Sequence, residues 1–272
     1  MNYIRVTCPI CGEDNCELVL DRECQRGQVY LSICKNDGMV YLNPRWAPEK
    51  YAEFYQKRYY ETHIKGGSRV GIQQLCIRRS FEFLSTQENL VMLDIGAGRG
   101  ELFEACQYEG ISAKEKDAIE ADPAYRKVLV KNGINVIAKD VDSDWHIGRE
   151  NRYDFIVMRH VLEHFLNPGS VLKKVNSVLT ETGVLYLEVP NIMQFSRERS
   201  AYTHFEPAHP YYFSMRTLEK VTKQAGLRWV DSVHSSIEIS GVYIKGKKPE
   251  GEVPIYSTYH KQLAILKEFI NK

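Results

Sequence analysis

The stretch LVMLDIGAGRGELFEACQY, residues 90–108, holds a strand, a turn and a helix in succession. Val91–Ile95 is an apolar run of the length expected for a strand buried on both faces. Gly96, Gly98 and Gly100 follow, and glycine lets a backbone turn sharply and approach a ligand with no side chain in the way. Glu101–Tyr108 then reads as a helix ended by Gly110, and the start of a helix points free N–H groups at whatever lies before it. Twenty residues past Gly100, Glu120 stands at the tip of the next strand, where an acid suits a bidentate hydrogen bond to ribose hydroxyls. Together these features point to a nucleoside ligand. In a dinucleotide site the third glycine falls one residue later. Asp94, ahead of the first glycine, suits a ligand that carries a cation and would be awkward beside a pyrophosphate.

The rhythm of strand, loop and helix continues outward. Asp117–Glu120, Asn135–Ala138, Phe155–Met158 and Val184–Val189 read as strands, with helices over Pro123–Asn132 and Ser170–Leu179. Strands alternating with helices of this length imply a parallel sheet covered on both faces, joined by right-handed crossovers. After Pro190 the pattern lapses into a segment crowded with His, Tyr, Phe, Arg and Glu. Ser214 then caps a helix to Ala225, and Leu227–Ser232 and Val242–Lys245 close the sheet. Upstream, Pro48–Thr62 and Ile72–Leu84 read as helices, the first rich in aromatics. A last helix, Thr258–Ile270, carries an apolar stripe of Leu263, Leu266 and Ile270, which suggests either a homodimer contact or a further segment downstream. The expected units are residues 1–44, a small β unit; 45–89, a helical linker; 90–248, the main domain; and 249–272, the terminal helix.

Composition sets limits on partners. The 272 residues carry 36 basic and 35 acidic side chains, a net charge of +1. That balance speaks against nucleic acid as a partner, because a phosphate-binding surface needs surplus Lys and Arg. No stretch approaches the ~18 apolar residues of a membrane span, and no apolar secretory segment opens the chain. The expectation is a soluble cytoplasmic protein.

Five of the seven cysteines fall within the first 34 residues. In a reducing compartment such clustering points to metal more than to disulfides. Cys8-x-x-Cys11 and Cys34-x-x-Asp37-Gly38 have the spacing of two knuckles that present two ligands each to a tetrahedral zinc. Asp37 stands where a fourth cysteine is usual; a carboxylate can also ligate zinc. Cys16 is an alternative ligand, and Cys24 lies at the far end of the hairpin Glu17–Asp21/Val29–Ile33. Four protein ligands leave no open position, so such a zinc is structural; the alternative is a ribbon that has lost its metal.

From the glycine loop onward the sequence resembles the class I S-adenosylmethionine-dependent methyltransferases. The resemblance spans roughly residues 90–245 and implies a Rossmann-like α/β fold with a seven-stranded, mostly parallel sheet. In that family the loop at Asp94, Gly96, Gly98 and Gly100 wraps the methionine part of the cofactor, and Glu120 holds its ribose. Asp140 and Val141, at the end of strand three, correspond to positions near the adenine; Trp145 is either an adenine cover or a packing residue. Arg159 to His164 and Leu187 to Asn191 look like motifs of a small-molecule and sugar methyltransferase branch, as does His209-Pro-Tyr-Tyr-Phe213-Ser214. Several members of that branch begin with a zinc ribbon that ends before Asn-Pro, as Asn43-Pro44 does here. Aromatics from a helix before the sheet often cover the cofactor in this family, which singles out Tyr55, Tyr59 and Tyr60, with Tyr59 as the choice.

The resemblance therefore implies S-adenosylmethionine as cofactor, with Arg159 among the residues at its site. It also implies a sugar or related small molecule as acceptor, nucleotide-linked or part of a surface polysaccharide. His209, near Glu206 and three aromatics, is the expected proton acceptor, with His160 in reserve; His164 is expected to be structural. The rival readings are a ribosomal RNA base methyltransferase with a zinc module and a non-catalytic cofactor-binding scaffold.

Overall fold

A computed structural model of the chain describes residues 3–57, 69–194, 200–234, 237–246 and 257–271. The N-terminal strands are β1 (Tyr3–Ile4), β2 (Cys16–Cys24), β3 (Gly27–Cys34), β4 (Val40–Leu42) and β5 (Arg45–Trp46). They are followed by β6 (Leu90–Ile95), β7 (Ala113–Ile119), β8 (Asn135–Ala138), β9 (Tyr153–Arg159), β10 (Leu179–Pro190), β11 (Tyr211–Tyr212), β12 (Leu227–His234) and β13 (Glu238–Lys245). Seven of these make the central sheet, in the order β12-β13-β10-β9-β6-β7-β8. Pairing is parallel from β10 through β8, and β13 runs against both of its neighbours. This is the expected Rossmann-like, mostly parallel seven-stranded sheet.

The alternation of side chains along each strand divides the core into two layers. Leu93, Ile95, Ile156, Met158, Leu185 and Leu187 pack on one face under the helices Pro168–Val178 and Met215–Gln224. Met92, Phe155, Val157, Val184 and Tyr186 pack on the other, under Val70–Ser80, Glu101–Tyr108 and Pro123–Lys131. Both faces are covered, which is why β6 and β9 are apolar on both faces apart from Asp94, Asp154 and Arg159. Ser214 caps its helix with its side chain, as expected, and Thr217 completes a capping box. Two boundaries differ from expectation. The helix over Ile72–Leu84 ends at Ser80 and closes as a 3-10 turn, Phe81–Phe83. His164, which the sequence would place in the helix after the fourth strand, lies in a 3-10 turn, Leu162–His164.

A second sheet, β11-β4-β3-β2, joins the N-terminal unit to the segment after β10. Tyr211 pairs with Tyr41 and Tyr212 with Val40. The shared core follows: Leu31 and Leu42 pack with Phe205, Tyr212, Leu266 and Phe269. Cys8, Ile10, Cys34, Met39 and Tyr41 belong to the same cluster as Leu93 and Leu187 of the central sheet. The central sheet is therefore not independent of the N-terminal unit, contrary to what separate sequence blocks suggest. The helix Tyr259–Ile270 docks on that unit as well. Its Leu266 is buried against the chain's own β-sheet, and Leu263 and Ile270 pack there in part. No helix among the described residues is long and apolar enough to cross a membrane.

Because the clusters interlock, the two sheets should unfold together. In urea, Leu31→Ala should remove about 2–5 kcal/mol, the usual cost of truncating a buried leucine, from a single transition shared by both sheets. Two resolved transitions would show that the units are separable.

Candidate active site

Strand order reverses between β6 and β9, and in an open α/β sheet that is where a crevice opens beyond the carboxyl ends of the strands. The glycine loop leaves β6 at this point, and Arg159 and His160 leave β9 beside it. Each glycine does different work. A Cβ at Gly96 (φ +79°) would lie 2.2 Å from Val161 Cγ1, so this glycine lets the two loops touch. At Gly100 (φ +85°) a Cβ would crowd Ile134 and Leu129, where the helix packs on the sheet. Gly98 (φ +53°) has open space around the missing Cβ and is the position where a ligand can meet backbone.

Two buried acids flank this loop. Glu120 Oε2 accepts the Gly98 N–H (2.7 Å) and Oε1 accepts the Asp122 N–H (2.8 Å). Burial pushes Glu120 up despite those donors. Asp94 is 4% exposed, and burial, with the charge of Glu120 nearby, pushes its carboxyl up to about 7. A cationic ligand would relieve that burden, so the loop and its acids suit a sulfonium nucleoside bearing an ammonium group.

Asp140 follows β8 in an exposed turn and accepts the Asp142 N–H (2.8 Å), while Val141 is buried. Trp145 is buried too, and its indole N–H donates to Val141 O (2.9 Å), which makes it a packing residue. Tyr59 and Tyr60 lie outside the described residues. Tyr55 on the helix Pro48–Lys57 does reach the site, with its hydroxyl 2.8 Å from His164 Nδ1.

Arg159 bonds Glu188 Oε1 on β10 through Nε (3.0 Å) and Nη2 (2.6 Å). His160, at φ +50° in a backbone region uncommon for non-glycine residues, has Nε2 3.1 Å from Glu188 and 3.2 Å from Glu238, with Nδ1 3.7 Å from Glu163. Burial pulls this imidazole down, but the three carboxylates outweigh it and hold it up at about 11. A ring charged at neutral pH has no lone pair for an acceptor proton, which argues against a reserve role as base. Burial raises Glu188, yet His160 and Arg159 overcome it and hold the carboxylate at about 2.

Beyond Glu163 the chain of groups continues. His164 and His209 meet edge to face, with ring centroids 4.5 Å apart. Burial and the charge of His209 pull His164 down to about 4, so it is neutral. His209 Nε2 lies 3.0 Å from Glu206 Oε1. Burial raises Glu206, but His209 and Arg26 hold it at about 2. The structure thus brings His164 into contact with His209, a pairing that the sequence reading did not make. Glu163, Glu188 and Glu238 were missed as well. Glu163 follows His160 at i+3 and was legible from spacing; Glu238 arrives on an antiparallel strand and was not.

At the N-terminus, Cys8, Cys11, Cys34 and Asp37 place one donor atom each within 4.8 Å of the others. Cys8 Sγ is 3.2 Å from Asp37 Oδ2, and Cys11 Sγ is 3.6 Å from Cys34 Sγ. The Ile10 N–H points at Cys8 Sγ (3.5 Å). This donor set fits a structural zinc. Cys16 lies apart, beside Asn43, and Cys24 sits at the far end of the hairpin near Ala201. A cavity of about 330 Å³ lined by Arg45, Asn167 and Tyr211 shares no residue with the glycine loop.

A family model described as a methyltransferase domain matches residues 70–232, more than half of the chain. The chain belongs to the S-adenosylmethionine-dependent methyltransferases. The (S)-coclaurine N-methyltransferase of Papaver somniferum is 29% identical over 125 residues, 43% of this chain and 32% of that enzyme. The chain thus aligns with about a third of that relative's length. Among solved structures, an S-adenosylmethionine-dependent methyltransferase from Clostridium acetobutylicum superposes with a TM-score of 0.52 at 16% identity, covering 73% of this chain and 98% of that one. CcbJ methyltransferase from Streptomyces caelestis gives 0.53 at 14%, covering 72% and 98%. An S-adenosylmethionine-dependent methyltransferase from Leishmania major gives 0.53 at 14%, covering 72% and 82%. At these identities the likeness shows the fold.

In this methyltransferase, Glu120→Ala should weaken S-adenosylmethionine binding by about 1.5–3 kcal/mol, the range for a hydrogen bond to a charged group, as read by calorimetry. Unchanged affinity would remove Glu120 from the cofactor site. Asp94 generates a pH dependence. Its folded value lies above its ordinary 3.8, so its contribution to stability is full below about pH 4 and is lost as pH rises through about 7. Asp94→Asn should therefore gain stability relative to the cofactor-free wild type between pH 5 and pH 8 in urea unfolding, while binding the cofactor more weakly.

Proposed function

We propose that the protein moves a methyl group from S-adenosylmethionine to a hydroxyl or carbon of a sugar or related small molecule, nucleotide-linked or part of a surface polysaccharide. The cofactor supplies an electrophilic methyl on sulfonium; the protein aligns the acceptor and removes its proton. Gly98, Asp94 and Glu120 hold the cofactor, with Val141 and Asp140 beside its adenine. Arg159 acts at one remove, by fixing Glu188 and lowering the charge burden around Asp94.

The observation that carries this reading is the pair His164–His209 with Glu206 on His209 Nε2. With Nε2 engaged, Nδ1 of His209 takes the acceptor proton and Glu206 steadies the imidazolium that results. His164, kept neutral, adds no competing charge. Near-zero net charge supports a small-molecule acceptor over RNA. So does the relative named for coclaurine, a small molecule. The N-terminal zinc is structural, held by Cys8, Cys11, Cys34 and Asp37.

His209→Ala should lower turnover by ~10²–10⁴-fold, the usual worth of general-base catalysis, and leave cofactor affinity within roughly twofold. Turnover is read across a panel of nucleotide sugars as S-adenosylhomocysteine release. Near-wild-type turnover would make His209 structural. Metal analysis should find about one structural zinc per chain, lost in Cys8→Ser or Cys11→Ser.

A further inference from the structure

We propose that Glu163, His164 and His209 form a second metal site, which takes a divalent cation such as Co²⁺, Mn²⁺, Fe²⁺ or Zn²⁺ at the acceptor face. Each residue offers one donor atom, and the three lie within 4.8 Å of one another. An ion bound at ~2.0–2.2 Å holds its ligands about 3–4 Å apart, so small side-chain adjustments close the site.

Two further observations point the same way. A metal-ligating imidazole gives its other ring nitrogen to a carboxylate or a backbone carbonyl, which fixes the ring. Both rings here have that support: His164 Nδ1 lies 3.2 Å from Ala208 O and 2.8 Å from the Tyr55 hydroxyl, and His209 Nε2 lies 3.0 Å from Glu206. The third ligand brings the charge. Glu163 is 2% exposed, and its Oε2 is buried with no hydrogen-bond partner. A native structure rarely leaves a buried carboxylate oxygen in that condition, and a cation in the cluster would satisfy it.

The neighbouring trio His160, Glu188 and Glu238 also brings donors together. Its charge is already answered, since Arg159 occupies Glu188 Oε1 and the imidazolium of His160 faces both carboxylates. The cation therefore belongs to the Glu163 cluster. Two nitrogens and one carboxylate leave coordination positions open, unlike the four-ligand N-terminal site. Those positions fit adjacent hydroxyls of the acceptor, a polyol or sugar. This inference rests on the acceptor lying at the histidine pair, and it makes His209 a ligand in the ion-loaded enzyme, through the same lone pair that takes a proton without the ion.

Cobalt tests the proposal without reference to turnover. Wild-type protein stripped by chelator is titrated with Co²⁺ and followed by visible absorption and metal content. Beside the Co²⁺ taken by the cysteine cluster, which shows thiolate charge transfer, one further equivalent should give d–d bands without it and should persist in Cys11→Ser. Glu163→Gln and His209→Ala should weaken it at least tenfold, with S-adenosylmethionine affinity as the check on folding. Glu206→Gln, which leaves all three ligands in place, should weaken it about 10–100-fold. Absence of any Co²⁺ outside the thiolate cluster, or unchanged binding in Glu163→Gln and His209→Ala, would overturn the site. Unchanged Co²⁺ affinity in Glu206→Gln would do so as well. Co²⁺ bound as expected, with turnover unaffected by His209→Ala, would uphold the site and remove the acceptor reading instead.

Discussion

Glu188 is the group on which the carboxyl edge of the sheet depends. It is buried at the end of β10 and accepts Arg159 from β9, the ring of His160 and the hydroxyl of Tyr186 (3.0 Å). An unpaired carboxylate there would be costly, and leaving any one partner out would strand a buried charge. Because the partners come from β9, β10 and the loop between β9 and the next helix, the carboxylate fixes where that loop begins. His160 N–H also donates to Glu188 O (2.9 Å), which sets the left-handed turn. Val161 is thereby laid against Gly96, and the loop after β6 inherits its place.

Much of this edge was legible in the sequence, for identifiable reasons. The glycine loop needs residues without a Cβ, and the strands around it must be apolar on both faces, so chemistry and period mark them directly. Asp94 and Glu120 follow from the spacing of strand, turn and strand. The charge state of His160 was not legible. It depends on Glu238, which reaches the site on a strand inserted antiparallel between β10 and β12, and local sequence does not announce such an insertion. The pairing of His164 with His209 was hidden for the same reason: it needs the segment after β10 to fold back across the sheet.

The N-terminal unit shows the opposite error. Its cysteine spacing and the hairpin were readable, and Asp37 does join the three cysteines as the fourth donor. Separate sequence blocks then suggested separate bodies. The side chains of Cys8, Cys34 and Tyr41 in fact sit in the cluster that supports the central sheet. Gly38 explains part of this, since a Cβ there would lie 2.4 Å from Thr258 Oγ1 and push the terminal helix away from the knuckle.

The pairing of β11 with β4 also bears on how the chain is made. Synthesis delivers β2, β3 and β4 first, yet the strand that covers the edge of β4 is Tyr211–Tyr212, which leaves the ribosome only after β10. Until then β4 presents unpaired N–H and C=O groups, the kind of edge that recruits foreign strands. If the hairpin and β4 form as soon as they emerge, growing chains carry an open β edge until Tyr211–Tyr212 is made. A metal gathered early by the two knuckles would hold the hairpin in register while it waits.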